Sequence, residues 1–241
     1  MRKFGLIGYP LSHSFSKKYF TDIFSKEGIN AEYTNYPIED ISMVKTLFTD
    51  PLLEGINVTI PYKEVVIPFL DELSKAVKEI GACNCIRIRD GKTKGFNTDV
   101  LGFEHSWEKK LRPVNDKALV LGTGGAAKAV CYVLRQRKIP YQQVSRKRNE
   151  GIIGYGDVNA EMIREYRLLI NTTPLGMYPH IDECPALPYE AITPEHYLYD
   201  LVYNPEKTLF LQKGEECGAV IENGQDMLII QANESRKIWN V

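Results

Sequence analysis

The sequence predicts an α/β fold in two halves, on three observations. Short apolar runs alternate with helical patterns along all 241 residues, the order expected of parallel-rich sheets covered by helices. In the second half the apolar run Ala118–Leu121 passes through a glycine cluster straight into a helical pattern, with spacing Gly122-x-Gly124-x-x-Ala127. Residues 1–98 alternate in the same way but carry no such cluster. The length suits one large or two small domains, and the boundary is expected near residue 98, with residues 99–224 forming the second domain. The last helix, within 225–241, is free to return to the first.

Composition narrows the possibilities. Hydrophobic residues make up 44%, charged residues 25%, and the formal net charge is -1. These values point to an ordinary globular protein with no nucleic-acid or membrane partner. No apolar run is long enough to span a bilayer, and the opening MRKFGLIGYP is too short in apolar residues for a signal peptide. A cytoplasmic protein is therefore expected. The five cysteines, Cys83, Cys85, Cys131, Cys184 and Cys217, are expected to be reduced. Cys83 and Cys85 alternate along a strand-like run with no second ligand pair after them. They read as buried thiols rather than a metal pair, and no metal is expected.

The first half begins with a strand over Phe4–Ile7. A helix follows in which Tyr19, Phe20, Ile23 and Phe24 share a face, stopped by Gly28. Ser14 and Ser16 stand at its start, as an N-cap or as a pair of hydroxyls offered to a polar ligand. A strand is expected over Ala31–Ile38 and a short helix over Ile41–Phe48. Residues 55–60 alternate as a strand with Asn57 and Thr59 on one face. Pro61 ends it, and Lys63 is expected at the mouth of a helix over Glu64–Leu73, where its charge opposes the helix dipole. A further helix over Ser74–Ile80 stops at Gly81. Ala82–Arg89 and Lys92–Asn97 flank Asp90-Gly91, which signals a hairpin. Val100, Phe103, Trp107 and Leu111 mark the next helix face, with Asp99 at its start as a possible cap.

In the glycine segment each residue has a physical task. Gly122 permits the tight turn, Gly124 lets a backbone approach a pyrophosphate, and Ala127 keeps the helix close to the sheet. The helix N-terminus then offers free N–H groups to an anion. The next strand, Gln142–Val144, ends in Ser145-Arg146-Lys147-Arg148. An acidic residue at this place holds the ribose of NAD, whereas arginine accommodates the 2′-phosphate of NADP. With no carboxylate and three cations, NADP is favoured over a merely solvated charge run. Residues 149–160 read as loop and Glu161–Tyr166 as a short helix. Leu168–Ile170 reads as a strand leading into Asn171-Thr172-Thr173-Pro174-Leu175-Gly176-Met177. Polar residues past a strand's C-terminal end are where doubly wound sheets bind ligands. Tyr197–Val202 is a strand, Glu206–Glu216 a helix, Val220-Ile221 a last strand, and Gly224 opens the final helix.

Taken together, these segments resemble one family. Ser14-x-Ser16, Asn57-Val58-Thr59-Ile60-Pro61-Tyr62-Lys63, Gly81-Ala82-x-Asn84, Asn97-Thr98-Asp99, the Gly122 turn, Asn171 to Met177, and Gly224-x-x-Met227-Leu228-x-x-Gln231-Ala232 occur in the order of the shikimate dehydrogenases. The resemblance implies an N-terminal substrate domain and a C-terminal Rossmann-like NADP domain around a cleft. It implies NADPH-dependent reduction of 3-dehydroshikimate to shikimate, a step in aromatic amino acid and chorismate biosynthesis, by a monomer or homodimer. By the same resemblance Lys63 and Asp99 are catalytic. Ser14, Ser16, Asn57, Thr59, Asn84, Asp99 and Gln231 would hold the substrate, and Tyr203 and Gly224 would lie near substrate and nicotinamide. Gly122, Thr123, Gly124, Gly125 and Ala126 would take the pyrophosphate. Ser145, Arg146 and Lys147 would take the 2′-phosphate, and Thr172 belongs to the cofactor side.

The chain departs from the family pattern at Lys17, where proline is common, and at Cys85, where threonine is common. The stretch from Arg148 to Leu168 and the C-terminal helix are short. The residue types suit a polyol, since each hydroxyl or amide can pair with a substrate hydroxyl. Rival readings are a quinate/shikimate dehydrogenase using NAD, a non-catalytic NADP-binding relative, and a folate dehydrogenase of similar plan. The missing acidic residue after Val144, and the presence of both Lys63 and Asp99, argue against the first two. The serine pair and Asn97-Thr98-Asp99 argue against the third.

Overall fold

The computed structural model describes residues 1–11 and 15–241. It resolves into two compact units, Met1–Thr98 with Gln231–Val241, and Asp99–Ile230.

The first unit is built on a mixed six-stranded sheet. In chain order its elements are β1 (Arg2–Gly8), α1 (Phe15–Lys26), β2 (Ala31–Pro37), α2 (Val44–Leu47), β3 (Leu53–Val58), β4 (Glu72–Leu73), α3 (Lys75–Ile80), β5 (Cys85–Arg89) and β6 (Lys92–Phe96). The strand order is β2-β1-β3-β5-β6-β4. β1 pairs parallel with β2 and β3, whereas β5 runs antiparallel to both β3 and β6. One face of the sheet packs Ile7, Ile56, Val58, Val66 and Ile86. The other packs Phe4, Phe20, Phe24, Tyr33 and Trp239. Phe20 and Phe24 lie one turn apart on α1, so the helical spacing read from sequence is the buried stripe.

Local chemistry sets the boundaries. The Ser74 hydroxyl accepts from Val77 N and caps α3, which ends on left-handed Gly81. Asp90 and Gly91 both have positive φ, as a two-residue hairpin of the primed type requires. Three expectations fail. The stretch Glu64–Leu73 is not an α-helix but a series of turns with a 3₁₀ segment over Ile67–Phe69, followed by the short β4. Pro68 is the reason, since it has no N–H to donate and its ring clashes with the carbonyl four residues back. β3 ends at Val58, so Thr59 lies just past it, and Gly55 to Val58 are all buried instead of alternating. Both faces of this inner strand are covered.

The second unit contains α4 (Asp99–Trp107), β7 (Ala118–Leu121), α5 (Gly125–Gln136), β8 (Tyr141–Ser145), β9 (Ile152–Gly154), α6 (Ala160–Glu165), β10 (Leu168–Asn171), β11 (Tyr197–Asp200), α7 (Leu209–Glu216) and β12 (Val220–Glu222). The last helix, α8 (Gln225–Trp239), is divided between the units at Ile230 and Gln231. All six strands are parallel, in the order β12-β11-β10-β7-β8-β9. Counted from β7 this is the doubly wound order 3-2-1-4-5-6, with its reversal between β7 and β10. The four residues of β7 and the four of β10 are buried throughout, as expected for central parallel strands. The stretch expected as loop after Asn149 instead contains β9 and a 3₁₀ turn over Tyr155–Asp157. Two isoleucines between Gly151 and Gly154 are too short a run to announce an edge strand. The helix expected from Glu206 starts at Leu209, where Thr208 caps it through Leu211 N.

Candidate active site

In the first unit a buried polar network gathers most of the residues expected to meet substrate. Asn57 on β3 accepts from the Tyr33 phenol at 2.8 Å and donates to Ser235 Oγ at 2.9 Å and to the Asn84 carbonyl at 3.3 Å. The Ser16 side chain hydrogen-bonds the same Tyr33 phenol, and burial pushes that phenol well above its ordinary pKa. Asn84 donates to Thr98 Oγ1 at 3.0 Å and accepts from Thr98 N at 2.6 Å. Thr98 Oγ1 in turn lies 3.4 Å from Gln231 Oε1 and 3.5 Å from Ser235 Oγ. Thus Ser16, Asn57, Asn84 and Gln231 are brought together through Tyr33, Thr98 and Ser235, none of which the motif reading assigned a role. Asn57 and Asn84 are nearly fully buried, so they hold the shape of this corner as well as carrying polar atoms. Ser14 lies outside the described residues.

Lys63 stands in the turns after β3, not at a helix start. Its backbone carbonyl accepts from Cys83 N at 2.7 Å. The preceding Tyr62 is buried and its hydroxyl donates to the Ile38 carbonyl at 2.5 Å. Thr59 N is fixed to the Ile7 carbonyl, and Tyr62 N to the Thr59 carbonyl, at 2.9 Å each. The turn from 59 to 63 is therefore pinned at several points although it has no regular structure. Cys83 and Cys85 are buried and all five cysteines are free thiols. Among the described residues no group of His, Cys, Asp or Glu could hold a metal ion.

In the second unit the glycine turn sits at the reversal between β7 and β10. Gly122 has φ +116, and a Cβ there would come within 2.5 Å of Thr172 Oγ1. That hydroxyl donates to the Leu121 carbonyl at 2.6 Å and ties the two strand ends together. Gly124 starts α5 without a side-chain cap, no acidic residue lies in the first turn, and a Cβ on Gly124 would meet nothing. Thr123 and Gly124 are exposed. The start of α5 is thus uncapped and open at Gly124, which fits a pyrophosphate at a helix N-terminus.

At the end of β8, Ser145 Oγ accepts from Lys147 N at 3.4 Å. The three cations there divide. Arg148 is paired with Asp157, whereas Arg146 and Lys147 are exposed and form no ion pair among the described residues. That fits an added phosphate on the adenosine ribose. Asp99, buried, opens α4. Gly224 presses against β11's exit, since a Cβ there would lie 2.2 Å from the Leu201 carbonyl oxygen. Tyr203 is partly buried, and burial raises its phenol pKa.

A further constellation went unread in the sequence. Asp200, at the C-terminal end of β11, is fully buried. It accepts from Asn171 Nδ2 at 2.9 Å, Val202 N at 3.0 Å and Thr208 Oγ1 at 2.5 Å. Asn171 Oδ1 then accepts from Thr173 N and Oγ1. One carboxyl so joins the ends of β10 and β11 to the start of α7. The signal available was an acidic residue closing an apolar strand. Burial pushes the Asp200 carboxyl up to about 7, against its hydrogen bonds, which pull it down. The folded value lies above the ordinary value of about 3.9. Its contribution to stability is therefore complete below that value and is lost as pH rises through about 7. Asp200→Asn keeps the acceptor for Asn171 and Val202 and can donate to Thr208. Thermal unfolding of the variant should improve relative to the parent as pH rises from about 4 to about 7 and then level off. A difference independent of pH would contradict the assignment.

The doubly wound order and the glycine turn at its reversal define the second unit as a dinucleotide-binding unit. Comparison with known proteins carries the identification further. A family model described as the shikimate dehydrogenase substrate binding domain matches residues 6–86. The shikimate dehydrogenase (NADP(+)) of Caldicellulosiruptor bescii is 38% identical, with 99% of this chain and 89% of that protein covered. A crystal structure of a shikimate dehydrogenase in complex with NADP+ superposes with TM-score 0.89 at 31% identity, covering 99% of this chain and 90% of that one. The enzyme from Thermus thermophilus, solved with NADP(H) and shikimate, superposes with TM-score 0.86 at 31% identity, covering 99% and 93%. The chain belongs to the shikimate dehydrogenase family.

Proposed function

We propose that this chain catalyses the reversible reduction of 3-dehydroshikimate to shikimate with NADPH, in the cytoplasm. Residues 1–98 with the last helix form the substrate-binding part and the intervening residues bind the cofactor. The observation that carries the reading is the glycine turn at the strand reversal, beside exposed Arg146 and Lys147 with no carboxylate closing β8. Family membership supplies the substrate class.

Ser14, Ser16, Asn57, Thr59, Asn84, Asp99 and Gln231 are assigned to the substrate's hydroxyls and carboxylate. A site of this kind rejects analogues lacking a hydroxyl because its own polar groups would be left unpaired. Gly122 to Ala126 take the pyrophosphate, Ser145, Arg146 and Lys147 the 2′-phosphate, Thr172 belongs to the cofactor side, and Tyr203 and Gly224 lie near substrate and nicotinamide. The cofactor supplies the hydride. The ketone oxygen becomes an alkoxide as hydride reaches its carbon. The Lys63 ammonium stabilises that charge and offers it a proton, while Asp99 orients the ammonium and the reacting hydroxyl.

The test of function is oxidation of NADPH by the purified chain, dependent on 3-dehydroshikimate. No turnover with NADPH, or turnover only with quinate and NAD, would overturn the reading. A second prediction tests the phosphate clamp. Arg146→Ala should reduce the preference for NADPH over NADH by about tenfold or more, since it removes a charge-assisted contact worth ~1.5–3 kcal/mol. An unchanged ratio of the two kcat/KM values would remove Arg146 from the clamp.

A further inference from the structure

The peptide group joining Ala82 to Cys83 carries two hydrogen bonds at once. Its N–H donates to the Lys63 carbonyl at 2.7 Å. Its carbonyl oxygen accepts from Asn97 Nδ2 at 2.9 Å. Ala82, Cys83 and Asn97 are all buried. We propose that Asn97 is a positioning residue for Lys63, acting through the Ala82–Cys83 peptide to fix the backbone from which the Lys63 side chain projects. The inference rests on the reading of Lys63 as catalytic.

Lys63 lies in turns, so no helical ladder holds it. On its N-terminal side Tyr62 is anchored by its phenol to Ile38. On its own carbonyl the anchor is Cys83 N. A peptide that accepts at its oxygen becomes a better donor at its nitrogen, so Asn97 strengthens the bond that holds Lys63. The amide orientation at Asn97 follows from chemistry, because the flipped form would set two carbonyl oxygens against each other. Asn97 Oδ1 is buried with no hydrogen-bond partner among the described residues. The donor end makes the bond to the Ala82 carbonyl. The neighbouring Thr98 completes the grip, since its N and Oγ1 bond the Asn84 side chain at 2.6 and 3.0 Å.

The test uses the full chain with NADPH and 3-dehydroshikimate. Asn97→Ala should lower kcat by about tenfold or more while the NADPH dissociation constant stays within about twofold, because misplacing a reacting group costs rate rather than cofactor binding. Asn97→Asp is isosteric and can donate to Ala82 only when its carboxyl is protonated. Its kcat relative to the parent should therefore recover in acid and fall as pH rises, a profile that a packing defect would not give. Should Asn97→Ala fail to fold, this profile decides alone. Variants with kcat within about twofold of the parent, a loss confined to NADPH binding, or an Asn97→Asp deficit equal at every pH would each overturn the inference. If Lys63→Ala itself keeps near-parental kcat, the reading of Lys63 fails instead, which separates the two outcomes.

Discussion

Lys63→Ala should lower kcat by about 10²–10⁴-fold, the range typical of a lost general acid or charge-stabilising group. Two features of the chain make the effect specific to chemistry. First, the residues assigned to NADPH all lie within 122–224, inside the unit Asp99–Ile230, whereas Lys63 belongs to the other unit. The NADPH dissociation constant should accordingly stay within about twofold. Second, the turn has anchors that do not involve the Lys63 side chain. The turn is held by the Lys63 carbonyl, by Tyr62 and by backbone bonds from 59 to 62, so truncation leaves these anchors in place. Stopped-flow turnover, with fluorescence titration of NADPH in parallel, separates the two quantities. Near-normal kcat would remove Lys63 from the mechanism. Equal loss of cofactor binding would mean that the lysine acts on the fold instead.

How far the sequence could be read depended on where the controlling contact lies. The glycine turn was legible because its constraints are local: a positive φ at Gly122 and an open helix start at Gly124. The Asp90-Gly91 hairpin and the Ser74 and Gly81 caps were legible for the same reason. Lys63 was identified by its motif but placed at the wrong local structure, since Pro68 five residues on breaks the helix that the apolar spacing suggested. Asn57 read as one face of an alternating strand. Its burial depends on Tyr33 and on Ser235, 24 and 178 residues away, and no local pattern contains them. The Asp200 constellation was missed likewise, because its value comes from Asn171 and Thr208 converging on one carboxyl. The motifs named which residues matter, and long-range polar contacts determined what several of them do.

Trp239→Ala should be the most destabilising single change in the first unit, at about 3–5 kcal/mol. The indole is 1% exposed although it is the third residue from the end of the sequence. It stacks on Phe4 at 5.1 Å, contacts Phe20 at 5.4 Å, and donates from Nε1 to the Ile86 carbonyl at 2.9 Å. Alanine would leave a cavity beneath β1 and remove the indole's hydrogen bond to β5, and both terms have the same sign. Against a typical total of ~5–15 kcal/mol, that loss should move the urea midpoint of this unit far down. Trp107, the only other tryptophan, lies in the second unit and supplies a separate fluorescence signal there. Gly55 provides the internal control. A Cβ at that position would lie 2.3 Å from the Trp239 Nε1 atom, so Gly55→Ala must displace the indole and should destabilise on its own. Once the indole is gone the clash is gone too. The double variant Gly55→Ala/Trp239→Ala should therefore be markedly less destabilised than the sum of the single changes. Strict additivity would show that Trp239 and Gly55 do not share this contact in solution, and a cost below about 1 kcal/mol for Trp239→Ala would show that the C-terminal helix does not seal this core.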